Sequence, residues 1–196
     1  MKIERAVVSV SNKAGLGELG SFLKGYTIEI MSTGGTKKYL DEQSVPTIDI
    51  GAYTGFPEIM DGRVKTLHPK VAGGILAIRD KKEHVEAMNA HNIKRIDLVV
   101  VNLYPFREVI SKGCTFEEAI ENIDIGGPSM IRASAKNFKY VTVVIDPEDY
   151  PRLMADMKAH NGATSEEFRF YCAKKVFQTT SEYDKAIYTY LSQVQG

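Results

Sequence analysis

The 196-residue sequence predicts an α/β fold: a doubly wound, mostly parallel sheet with a helical carboxyl-terminal segment. Three observations lead there. Short β-branched runs alternate with amphipathic stretches of helical period. The runs are continuously apolar rather than alternating, as in strands covered on both faces. The tail carries an apolar stripe near helical spacing.

Taken in order, Ala6–Val10 reads as a strand, Ala14–Leu23 as a helix and Tyr26–Met31 as a second strand. Gly34-Gly35 then breaks into a helix running to about Asp41. Val45–Ile50 is a third strand, and Pro46 near its start suits an edge position. Gly51–Gly74, with repeated glycines and few helix formers, reads as a long ordered loop or short-turn region; long loops in compact domains are usually functional or disordered. Arg95–Asn102 and Tyr140–Ile145 are strands, and Asn122–Pro128 is a turn into a helix with Pro128 in its first turn. From Ser165 to about Gln193 the spacing predicts a long helix or helix pair, capped by Thr164 or Ser165, whose stripe (Phe168, Tyr171, Cys172, Val176, Phe177, Ile187) fits core or a subunit interface. The expected organisation is one domain over 1–196, with its core in about 1–150 and the helical segment in about 151–196.

Composition narrows the function. Lys+Arg and Asp+Glu are both 25, so the formal net charge is zero, which argues against a nucleic-acid partner held by bulk phosphate attraction. The apolar run Leu98–Val101 falls far short of the ~20 residues that span a bilayer, so no membrane partner is expected. Cys114 and Cys172 are distant and lack a CxxC partner, which fits neither a disulfide framework nor a zinc site and points to a reducing, cytoplasmic setting.

Several stretches carry candidate chemistry. Ser32-Thr33-Gly34-Gly35-Thr36 lies between a strand and a helix, where first-turn amides and two glycines form a cradle for phosphate; a plain strand-to-helix turn would also need glycine there. It is neither a GxGxxG nor a Walker loop. Ser11-Asn12-Lys13 follows the first strand, so in a doubly wound sheet it shares the rim with Thr33-Gly34, and Lys13 supplies counter-charge. Arg63-Val64-Lys65-Thr66 sets two cations and a hydroxyl in a non-helical loop; extended backbone would put Arg63 and Lys65 on one side, around an anion. Val101-Asn102-Leu103-Tyr104-Pro105-Phe106 ends a strand with an amide and a phenol that suit a polar heterocycle, or with aromatic rings that close the core. Asp124-Ile125-Gly126-Gly127 precedes a helix on which Arg132 and Lys136 share a face.

Together these blocks resemble one family, inosine monophosphate (IMP) cyclohydrolase, the amino-terminal half of the bifunctional purine-biosynthesis enzyme. The resemblance runs from Val8 to about Ile187 and is most specific at Gly62–Pro69, Asn102–Phe106, Ile123–Gly127 and Ala133–Asn137. It implies a methylglyoxal-synthase-like fold, a purine ribotide substrate, and ring closure of a formamido-imidazole-carboxamide ribotide to IMP with loss of water, the last step of de novo purine biosynthesis. By motif position it implies catalytic roles for Lys65, Tyr104, Asp124 and Lys136. It implies substrate binding by Ser11, Asn12, Lys13, Thr33, Gly34, Gly35, Thr36, Arg63, Val64, Thr66, Val101, Asn102, Ile125, Gly126 and Gly127. Asn12 stands where the family often has Asp, and Thr33 where it often has Ser; both keep hydrogen-bonding ability. The family's transformylase half has no counterpart in this sequence, so a fused domain or a separate AICAR transformylase partner is expected. The expected assembly is a homodimer.

The reaction changes no oxidation state, so no redox cofactor, metal or ATP is expected. Lys65, with Tyr104, would stabilise the formyl oxyanion; Asp124 would take or orient a carboxamide proton; and Lys136 would shuttle a proton. Two rivals share the phosphate loop: a methylglyoxal-synthase relative acting on a triose phosphate, and a non-catalytic module that binds a phosphorylated metabolite.

Overall fold

The computed structural model describes residues 2–104 and 106–194. Pro105 of the Asn102–Phe106 block lies outside the described residues. Five strands form one sheet in the order β3-β2-β1-β4-β5, with every pairing parallel. They are β1 (Arg5–Ser9), β2 (Glu29–Ser32), β3 (Ile48–Asp49), β4 (Leu98–Val101) and β5 (Thr142–Val144). All four residues of β4 are buried, as are Ala6, Val7 and Val8 of β1, so the two central strands are sealed on both faces. β3 has two exposed residues and sits at the edge, where a proline just upstream costs no ladder bond.

Right-handed crossovers place the helices. The chain steps from β1 to β2 to β3 in one direction through α1 (Leu16–Gly25) and α2 (Gly34–Glu42). It then returns past β1 to β4 and β5, with three helices before β4 and three between β4 and β5. These are α3 (Ile50–Thr54), α4 (Pro69–Leu76), α5 (Lys82–Ala90), α6 (Phe106–Ser111), α7 (Phe116–Glu121) and α8 (Gly126–Lys136). After β5 come α9 (Tyr150–Ala159), which packs on α1, and α10 (Glu166–Leu191), which packs on α8 and β5. The tail is thus one 26-residue helix rather than a pair, capped as expected by Ser165, whose hydroxyl accepts the Phe168 N–H. Phe168, Cys172 and Val176 enter the same core as the sheet.

Gly51–Gly74, expected as a long ordered loop or short-turn region, holds a tight turn and, as a correction, parts of two short helices. Asp49 caps α3 by accepting the Ala52 N–H, and Gly55 stops it in the left-handed conformation. In α4, Pro69 occupies the first turn and the His68 ring accepts the Lys70 N–H. Between them a tight reversal closes on an Ile59–Val64 bridge, with Met60, Asp61 and Gly62 all at positive φ. Arg63–Thr66 therefore leaves a turn rather than running extended from its start. Among the described residues no helix is long and apolar enough to cross a membrane.

Candidate active site

The strand order reverses direction between β1 and β4, and a crevice at that switch, above the carboxyl ends of the strands, is where open α/β sheets bind ligands. The register pairs Ser9 with Val101, so Val10–Lys13 and Asn102–Tyr104 leave the sheet side by side. Asn102 joins them: its Oδ1 accepts the Ser11 N–H at 2.7 Å, the Ser11 hydroxyl at 2.8 Å and the Asn12 N–H at 3.1 Å. Val101 is buried, so only its backbone faces the rim.

On the β2 side, Ser32–Thr36 makes the turn from β2 into α2. Gly34 has φ +49°, and a Cβ added to Gly34 or Gly35 would meet nothing within 4 Å. Thr33 holds the N-cap position in extended conformation but makes no capping bond, so the first-turn amides of α2 remain for another acceptor. The Thr36 hydroxyl is not free for a ligand. It donates to Val10 O at 3.0 Å and accepts the Val10 N–H at 3.0 Å and Lys13 Nζ at 3.3 Å. Lys13 Nζ also donates to Val10 O. Lys13 makes no ion pair among the described residues, and burial lowers its pKa from the ordinary lysine value. Lys13 thus lies beside the uncapped start of α2 with no carboxylate paired to it among the described residues.

On the other side, Asp124 sits at the mouth of α8. Its Oδ1 accepts the Gly127 N–H at 2.8 Å, and its own N–H donates to the Tyr183 hydroxyl at 2.8 Å. Gly127 is required there, because a Cβ would collide with the Asp124 carboxylate and stand 2.9 Å from Leu103 Cδ2. Gly126 faces Thr66, whose Oγ1 would lie 2.9 Å from an added Cβ. Ile125, at the N-cap, is exposed, and so is Tyr104. The predicted residues therefore form an unbroken rim: Thr33–Thr36 to Lys13, Ser11 and Asn12 to Asn102, Leu103 to Gly127 and Asp124, and Gly126 to Thr66.

Three predicted residues stand apart from that picture. Arg63 is exposed and turned to Glu121 of α7, which raises its pKa, so Arg63 and Lys65 do not face a common anion. Val64 contributes backbone bonds to Ile59. Lys136 is exposed at the last residue of α8. At 1.5 Å per residue that is about 15 Å along the axis from Gly126, so this chain by itself does not bring Lys136 to Asp124. Arg132, on the same face, lies 5.6 Å over the Phe177 ring. Lys65 Nζ lies 3.5 Å from where a Gly62 Cβ would stand, beside the reversal at residues 59–64.

Sequence reasoning missed two sets of residues. A cavity of about 460 Å³ opens beside Ser11, Asn12 and Asn102 and is closed by Asp146, Lys175 and Thr179. Lys175 Nζ lies 2.7 Å from both Asp146 and Asp149; burial works against its charge, but the two carboxylates win and raise its pKa. No local pattern announces this triad, whose lysine lies 29 and 26 residues from its two aspartates. The other is Tyr183, which lies within the stretch of family resemblance but carried no assigned role.

Residues 15–129 match the model of the MGS-like domain family, and residues 134–196 match that of the AICARFT/IMPCHase bienzyme family. The bifunctional purine biosynthesis protein PurH of Thermoanaerobacter sp. (strain X514) is 56% identical over 191 residues, covering 97% of this chain and 37% of that protein. PurH of Caldicellulosiruptor saccharolyticus is 54% identical over 194 residues, covering 98% and 38%. The chain thus spans little more than a third of the length of these relatives. A solved structure described as the crystal structure of ForH superposes with a TM-score of 0.83 at 33% identity, covering 94% of each chain.

Proposed function

We propose that this chain, which belongs to the MGS-like domain family and continues into a segment of the AICARFT/IMPCHase bienzyme family, is an IMP cyclohydrolase. Its substrate is 5-formamidoimidazole-4-carboxamide ribotide and its product is IMP. The observation that carries this reading is the continuous rim that joins an anion cradle to Asp124 and Thr66 across the switch point.

The 5′-phosphate sits on the first-turn amides of α2 with Lys13 as counter-charge. The heterocycle then reaches across Asn102 towards the mouth of α8. The carboxamide nitrogen attacks the formyl carbon, forming a C–N bond while the formyl oxygen gains electron density. Both groups are already tethered to one ring, so orientation is the enzyme's main contribution. Lys65, with Tyr104, donates to that oxygen. Asp124 holds the Gly127 N–H with Oδ1, leaving Oδ2 to accept a carboxamide proton. The oxygen leaves as water once it has gained two protons. Lys136 enters this scheme only if a second copy, in the proposed homodimer, presents it at the rim. We also propose that the chain works as one unit in the cytoplasm, with a transformylase, fused or separate, making its substrate.

Ultraviolet absorbance during conversion of the formamido ribotide tests the reading. Growth of a purine spectrum, lost by at least a hundredfold in Lys65→Ala, is expected. No spectral change with tight IMP binding would instead identify a regulatory module; conversion of a triose phosphate would identify a methylglyoxal-synthase relative.

A further inference from the structure

The residue that sets Asp124 in place comes from the far end of the chain. Tyr183 lies in the last third of α10, and its hydroxyl oxygen accepts the Asp124 N–H at 2.8 Å across 59 residues of sequence. Its ring stands edge-on to Phe106, with centroids 6.2 Å apart, and Phe106 follows Tyr104 by two residues. Tyr190 takes the other edge of Phe106 at 5.8 Å. Phe106, Ala119 and Ala186 form a small core of their own, separate from the sheet's, with Ile110, Ile123 and Tyr183 packed against it. This second core ties α6, α7 and the end of α10 together, and it carries both segments that lead to the proposed catalytic groups.

We infer that Tyr183 is a positioning residue for ring closure: its hydroxyl fixes the backbone at Asp124, and its ring fixes the segment after Tyr104. Asp124 is held at its carboxylate by the Gly127 N–H and at its backbone N–H by the Tyr183 hydroxyl. Remove the hydroxyl and the peptide before α8 is free to rotate, while the phosphate cradle at α2 is untouched. This inference rests on the reading of Asp124 as the proton acceptor.

The test compares Tyr183→Phe, Tyr183→Ala and Asp124→Asn in single-turnover cyclisation, with IMP affinity and melting temperature measured alongside. Tyr183→Phe keeps the ring. It is expected to keep the melting temperature within about 3 °C and the IMP Kd within twofold, and to lose about tenfold in rate, as misplacement well under 1 Å can cost. Tyr183→Ala is expected to lose stability as well. A Tyr183→Phe rate within twofold of wild type overturns the inference, as does a rate loss that tracks a matching loss of IMP affinity. Tyr183→Phe should add nothing to Asp124→Asn; a further full tenfold loss in the double variant also overturns it. Failure of the underlying reading looks different: Asp124→Asn itself would then cyclise at close to the wild-type rate.

Discussion

At the amino ends of the strands, charge is neutralised inside the protein. Asp97 is 3% exposed; its Oδ2 accepts the N–H groups of Glu4 and Arg5, each at 2.9 Å, and its Oδ1 accepts Arg79 Nη1 at 2.6 Å. Arg5 pairs with Glu29 and Arg95 with Glu4. At the carboxyl ends Lys175 pairs with Asp146 and Asp149 beyond β5, but around β1 and β2 the same sheet does the reverse. Lys13 and Lys65 make no ion pair among the described residues, α2 begins without a side-chain cap, and glycines keep the approach open. One end is paired internally; the other leaves two ammonium groups unpaired, as the proposed phosphate site requires. On that reading the difference separates residues that hold the fold from residues that would serve the substrate, although both sets are polar and both lie at strand ends.

The strongest test of that contrast is Asp97→Ala. It leaves a buried guanidinium without its carboxylate and two backbone donors without their acceptor, and should cost about 3–5 kcal/mol in urea unfolding. The KM of the protein that remains folded should hardly move. A loss below about 1 kcal/mol would mean that the amino end is not the anchor described here.

Lys13→Ala should do the converse, raising KM about tenfold for loss of one charge-assisted contact while kcat stays within twofold and stability is unchanged. A fall in kcat at constant KM would place Lys13 at the reacting atoms instead of the phosphate. The smallest effect is on pH. Only the ammonium form attracts phosphate, so IMP affinity should fall as pH rises through the Lys13 pKa. Burial lowers that pKa, so the fall should begin below the ordinary lysine value of 10.5. Lys13→Arg should remove it; a decline that persists in the Arg variant would assign the titration elsewhere.

Much of this was legible in the chain. The runs at Val7-Val8 and Leu98–Val101 could only be buried strands, Pro46 marked the edge, and Pro128 marked the first turn of α8. What escaped was set by contacts across the fold. α4 looked like loop because Gly73 and Gly74 are poor helix formers, yet both are demanded by packing: a Cβ on Gly74 would lie 2.5 Å from Lys94 O, and one on Gly73 would lie 2.9 Å from Ile93 Cδ1. The cradle and the Asp124 turn were readable because glycine and acid are adjacent in sequence. The partners Asp124–Tyr183 and Asp97–Arg79 were not, since no periodicity links residues 59 or 18 positions apart.

One hydroxyl deserves a last consequence. Thr36 Oγ1 has its proton and both lone pairs engaged, by the peptide groups of Val10 and the ammonium of Lys13. Serine could reproduce all three bonds. Valine, nearly identical in shape, could make none, and would strand the amide of Val10 and leave its carbonyl and the lysine held only by each other. Loosening of the central strand and loss of the nucleotide's tail would then arrive as a single event, so at this position tolerance of the fold and tolerance of the chemistry must be the same short set of side chains.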